Sequence, residues 1–425
     1  MRTVEAVVVL VTTCCIVLGA STSHNENLDL GTIIFANVLF RHGDRTPVEP
    51  YPTDPWGNES FWPVPFGQLT NIGKSQHLQL GRWFRKRYSH LLPEHYTPYD
   101  VHVQSTDVDR TLMSAEANLA GLYPPEGDQV WDKLKWMPIP VHTIPELEDS
   151  LLASKKYCPK YEKELENVIN SPEVRKINDD NKGLYDYLSK KAGTSVQSVT
   201  DVNDIFNTLF IEVLYNRTLP EWTKSVYPDK LRPLADFSFT VEAHNKILQR
   251  LKSGRLLGEM VDHLVSKSKN TLFPNRKIWI YSAHDTTVAN FLMTLGLFEP
   301  HCPPYTATVL VELRVNSLKE YIVTISYKNT SAEPRILTLP GCEVACPLGK
   351  FVDLTKDMIP KDWAKECLLG WEQYTHNITM PSIFGISISL LVVVVLLGLL
   401  IIGFVYWHNN CDSNRYYLKL TTDPI

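Results

Sequence analysis

The chain predicts an α/β domain that carries a helical insertion and is followed by one membrane-spanning helix. Three observations lead there. Apolar, β-branched and aromatic runs bounded by turn residues occur at 32–40, 101–104, 277–281, 307–314 and 320–327, and such runs read as strands. Between them, roughly 146–258, no clear strand occurs and the sequence is polar and helix-like. Strands at both ends with a helical middle describe one α/β domain with an inserted helical unit. Beyond the body, residues 383–407 are apolar and uncharged, and about 20 such residues cross a bilayer.

Taken in order, the first run, Thr32 to Phe40, is apolar almost throughout, as in a strand buried on both faces. It leads directly into Arg41-His42-Gly43-Asp44-Arg45-Thr46-Pro47. The following stretch, 44–66, is rich in Pro, Trp and Tyr and reads as an ordered loop beside a site. Arg82, Arg85, Lys86 and Arg87 form the densest basic run, which reads as a solvated helix face. The second strand, 101–104, leads into Ser105-Thr106-Asp107-Val108-Asp109-Arg110-Thr111 and a helical pattern over 112–122. Helices are expected at 161–169, 202–216 and 239–257. The 277–281 strand leads into Ser282-Ala283-His284-Asp285, and the 307–314 and 320–327 runs form a hairpin across a turn.

The frame around this body is secretory. Residues 1–22 have a charged start, an apolar centre and small residues after it, the pattern of a signal peptide. The body is then 23–382, extracytoplasmic, with a cytoplasmic tail at 408–425. Acceptor triplets begin at Asn58, Asn216, Asn329 and Asn377, all on the lumenal side. The tail contains Tyr417-Leu418-Lys419-Leu420, and Tyr417 with Leu420 fits a sorting signal read by clathrin adaptors. Cys158, Cys302, Cys342, Cys346 and Cys367 remain in the oxidising compartment, so at least one lacks an internal partner. Cys342 and Cys346 are close enough to close a local loop. Zinc is disfavoured, because no nearby pair of His or Cys completes four ligands. A formal net charge of −5 argues against a nucleic-acid partner.

Both histidine motifs fall where a strand ends, the edge at which open α/β sheets bind ligands. Two histidines, two arginines and an aspartate meeting there describe a site for a dianion. Asp107-Val108-Asp109-Arg110-Thr111 also fits the D-x-D-x-T motif of magnesium-dependent phosphatases. That motif requires an apolar strand running directly into its first aspartate, and Gln104-Ser105-Thr106 intervenes. Cysteine-phosphatase spacing and H-E-x-x-H are absent.

The Arg41-His42-Gly43-x-Arg45-x-Pro47 and His284-Asp285 motifs, with Ser105 to Leu122 between them, resemble the histidine acid phosphatases over about 32–368. The resemblance implies a phosphoglycerate-mutase-like α/β domain and hydrolysis of phosphate monoesters with neither metal nor cofactor. It implies His42 as the nucleophile and Asp285 as the proton donor, assisted by His284, with Arg41, Arg45 and Arg110 binding the phosphate. The bland alternatives are a helix N-cap for Asp285 and a salt bridge with Asp107 or Asp109 for Arg110. His142, Glu148 and Asp149 also match, in structural or interface positions. The resemblance further implies a homodimer and the disulfides Cys158–Cys367 and Cys342–Cys346. A third bridge of the relatives falls at Ile211 and Thr308 and is missing here, leaving Cys302 unpaired. The expected location is the lysosomal membrane with a lumenal catalytic domain, reached through the plasma membrane or endosomes. Two other readings are a catalytically silent sorting or adhesion ectodomain and an enzyme confined to inositol polyphosphates. The first would have lost at least one of the six site residues. The second is disfavoured by the anchor and tail.

Overall fold

The computed structural model describes residues 29–370 and 393–407. The strands are β1 (Thr32–Arg41), β2 (Val101–Thr106), β3 (His142–Ile144), β4 (Ile278–Ala283), β5 (Thr308–Val315), β6 (Tyr321–Lys328), β7 (Arg335–Leu337) and β8 (Cys346–Pro347). They form one sheet in the order β3-β2-β4-β1-β5-β6-β7, with β8 pairing to β6. β1 pairs parallel with β4, which pairs parallel with β2, while β5 runs antiparallel to β1. The register decides the function: Arg41 faces Ala283 and Phe40 faces Ser282, so both histidine motifs leave the sheet side by side.

β1 is buried on both faces, which is why its sequence lacks an apolar–polar alternation. Ala36, Val38 and Phe40 pack with Leu80, Phe84, Leu119 and Leu122, from helices α1 (Asn71–Arg87) and α2 (Asp109–Leu122). Phe35 and Leu39 enter the opposite layer with Leu256, Met260 and Phe291.

Between β3 and β4 the chain forms α3 (Pro159–Ile169), α4 (Pro172–Asp180), α5 (Lys182–Ala192), α6 (Val199–Leu214), α7 (Arg232–Ser238), α8 (Lys246–Lys252) and α9 (Gly254–Ser268). Much of this stretch has its own core, with Leu188, Val202, Leu209, Leu231 and Leu248 buried together. The expected single helix over 239–257 is two. Asn245 accepts from the backbone N–H groups of Ile247 and Leu248, starting α8 afresh at Lys246. α10 (Asp285–Thr294) follows β4 directly. The basic run on α1 is also not simply solvated. Arg87 forks onto the carboxylate of Glu312, which is fully buried, and Arg85 donates to the carbonyls of Leu92 and Pro93.

Cys158–Cys367 and Cys342–Cys346 are disulfide-bonded and Cys302 is free. Among the described residues no helix is long and apolar enough to cross a membrane. Of the expected span, 393–407 is helical and largely exposed, whereas 383–392 lies outside the described residues. The signal segment 1–22, Asn377, Tyr417 and Leu420 also lie outside them. Asn58, Asn216 and Asn329 are exposed.

Candidate active site

His42 is the first residue after β1, and its backbone N–H donates to Ala283 O on β4 at 3.0 Å. The side chain is 2% exposed, and Nδ1 lies 2.8 Å from Gly43 O. A carbonyl can only accept, so Nδ1 carries the hydrogen and Nε2 keeps a free lone pair. Burial, followed by the charges of Arg41, Arg110 and Arg45 and neighbouring His284, holds His42 well below the ordinary histidine value. The ring is thereby neutral, as a nucleophile must be. Gly43 is obligatory for a local reason. A Cβ there would lie 2.5 Å from the carbonyl oxygen of Gly73, and α1 packs too close for any side chain.

Three guanidiniums surround the ring. Arg41 donates to Pro303 O, pairs with Asp285 at 2.7 Å and lies 4.5 Å over the ring of Tyr305. Arg45 is held by Thr46 O at 3.0 Å. Arg110, at the start of α2, lies 3.4 Å from His284 Nδ1. In each of the three, a buried Nε has no hydrogen-bond partner. Buried polar groups are nearly always satisfied, so three unsatisfied donors in one place mark an anion site. Crowding tells the same story, since burial and then neighbouring Arg45 push Arg110 down to about 10.

His284 is the N-cap of α10 and Asp285 its first residue, so Asp285 is not the cap. Because Arg110 can only donate, His284 accepts at Nδ1 and its Nε2–H donates to Thr106 Oγ1 at 3.0 Å. Thr106 is in turn bonded to Thr111. Burial would push the Asp285 carboxyl up, but Arg41, then Arg45 and His284, hold it below the usual range. In the free site Asp285 is therefore ionised.

All six residues singled out from the sequence meet here. Asp107 and Asp109 do not; both are exposed at the start of α2. His142 stacks on His102 at 4.8 Å, and Asp149 accepts from three backbone N–H groups of its own loop. The sequence reading missed Ser114, which accepts from Gly43 N–H, and Tyr305 beside Arg41. It also missed buried Asp44, bound by Thr70 and Tyr215. Only Asp44 carried a signal, by standing inside the first motif. Among the described residues no three His, Cys, Asp or Glu side chains are grouped as a metal would need.

A neutral histidine ringed by guanidiniums, on a sheet edge with a carboxylate beside it, fits a phosphoryl-transfer site of the histidine type. The chain belongs to the histidine phosphatase superfamily, branch 2, whose pattern matches residues 32–328. It is 41% identical to the prostatic acid phosphatase of Bos taurus over 81% of this chain and 90% of that one. It is 38% identical to the lysosomal acid phosphatase of Xenopus laevis over 86% of this chain and 85% of the relative. The fold is similar to the solved phytase of Citrobacter braakii, with a TM-score of 0.61 at 17% identity, covering 80% of this chain and 100% of that one.

Proposed function

We propose that the protein is a metal-independent acid phosphatase that hydrolyses phosphate monoesters through a phosphohistidine on His42. One observation carries this reading: a neutral His42, its tautomer set by Gly43 O, faces Arg41, Arg45 and Arg110, each with an unsatisfied buried donor. The guanidiniums bind the non-bridging phosphoryl oxygens, and their positive charge stabilises the negative charge those oxygens carry in the transition state. His42 Nε2 attacks phosphorus, and the bond from phosphorus to the ester oxygen breaks. Asp285 gives its proton to that oxygen. In the second step Asp285 takes a proton from water, which attacks the phosphohistidine and frees inorganic phosphate.

Asp285 must first be protonated, and the Arg41 ion pair opposes this. A bound dianion competes for Arg41, weakens the pair and raises the Asp285 carboxyl toward protonation, and acid completes it. Acid activity is thus built into the pairing.

The reading extends to a lumenal enzyme of the lysosomal membrane. It is supported by the lysosomal relative, by the uncharged 383–407 segment with its helical 393–407 portion, and by Tyr417 and Leu420 in the tail. p-Nitrophenyl phosphate turnover from pH 4 to 8, with EDTA present, tests the chemistry. Activity should peak in acid, resist EDTA and fall by about 1,000-fold or more in His42→Ala. Loss of activity to EDTA would sink the histidine mechanism.

A further inference from the structure

A cavity of about 460 Å³ opens beside Arg45, between the loop after β1 and α6. Its charged lining is lopsided, with Glu49, Asp201 and Asp204 facing the single guanidinium of Arg45. That guanidinium is buried, fixed to Thr46 O and part of the phosphate cradle. Once a phosphoryl group engages it, the field left for the rest of the substrate comes from carboxylates. Tyr51 lines the same cavity at 5% exposure, and its hydroxyl has no hydrogen-bond partner. The aromatic ring of Tyr51 in the lining attracts cations through its π face. The carboxylates also act on each other. Partial desolvation, followed by Asp201 and Glu49, pushes Asp204 up to about 6 against the pull of Arg45. A cation entering here relieves that repulsion, whereas an anion adds to it.

We infer that this cavity receives the leaving group and selects phosphomonoesters whose alcohol carries an ammonium over those whose alcohol carries further negative charge. The inference rests on the phosphatase reading and narrows its substrate class. It separates the protein from catalysts of polyanionic substrates, whose leaving groups bring several phosphates into the space these carboxylates occupy.

Three substrates of one size provide the test: ethanolamine phosphate, ethylene glycol monophosphate and phosphoglycolate, ending in ammonium, hydroxyl and carboxylate. They are compared by kcat/KM at pH 6.5 and low salt, beside p-nitrophenyl phosphate. The expected order is ammonium, hydroxyl, carboxylate, with a spread of about tenfold end to end for partly screened charges. In 1 M NaCl the spread should shrink, because the screening length falls to about 3 Å. Glu49→Gln with Asp201→Asn and Asp204→Asn should collapse it to within about twofold. If that triple variant does not fold, Asp204→Asn alone must narrow it. A flat or reversed wild-type order, or a variant that keeps the full spread, overturns the inference while leaving the phosphatase intact. Failure of wild type to turn over p-nitrophenyl phosphate defeats the phosphatase reading instead.

Discussion

The ion pair between Arg41 and Asp285 sets what each residue can do. A carboxylate held ionised by a guanidinium is a poor acid until something else claims the guanidinium, and the phosphoryl group is built to do that. In the proposed mechanism, proton donation by Asp285 matters in proportion to how badly the leaving oxygen needs it. Asp285→Asn should lower kcat/KM for an alkyl phosphate by about 100-fold or more, the range of general acid catalysis. For p-nitrophenyl phosphate, whose leaving group departs unprotonated, the loss should be at least tenfold smaller. Equal losses on both substrates would remove Asp285 from the acid role. The residues proposed to act on substrate were legible because the two histidine motifs and the Ser105–Thr111 piece between them carried them. Those that tune them were not. Gly43 O, which fixes the His42 tautomer, is a backbone atom with no sequence signature, and Thr106, Ser114 and Tyr305 become neighbours only when separate elements meet.

Elements bring the pieces together through two adjacencies that the sequence could only suggest. The parallel pairing of β1 with β4 sets His42 beside His284, with ring centroids 5.7 Å apart. Arg110 is placed by the start of α2 at Asp109, just beyond β2, and α1 packs closely across α2. That crossing depends on Gly81. A Cβ there would overlap Asn118 O on α2, a backbone atom that cannot turn aside. Gly81→Ala should force the helices apart, at a cost of about 2 kcal/mol from overpacking. The melting temperature should fall by several degrees, and KM for p-nitrophenyl phosphate should rise as Arg110 shifts. Unchanged melting would show that the crossing has slack. The long buried strands were legible from their apolar runs. β3, β7 and β8 were not, because two or three residues are too few to show any period. The predicted helix over 239–257 is interrupted because Asn245 caps a fresh start at Lys246, a local signal stronger than the helical composition around it.

For the whole molecule, acid chemistry has to coexist with buried titratable groups whose demands oppose one another. His42 and His77 are buried neutral, with His77 pushed down to about 3 by desolvation. A histidine lowered on folding contributes stability that is fully present above its unfolded value near 6.5 and is lost as the pH falls toward the folded value. Glu212 on α6 acts in the opposite direction. It is fully buried, and desolvation, followed by the charge of Asp54 and a hydrogen bond between the two carboxyls, raises it to about 9. A carboxyl raised on folding contributes stability that is fully present below its unfolded value near 4.3 and is lost as the pH rises toward the folded value. Unfolded Glu212 sheds its proton in that window and folded Glu212 keeps it, so the slope reaches at most about 1.4 kcal/mol per pH unit. Glu212→Gln removes the titration and leaves the shape. Thermal melts of both proteins at pH 4.5, 6 and 8 should show the variant close to wild type in acid and increasingly more stable toward pH 8. Parallel curves would mean that Glu212 does not titrate differently on folding. A widening gap would make the Glu212–Asp54 carboxyl pair a liability near neutral pH that acid conceals, set against the stability that His42 and His77 lose as the pH falls.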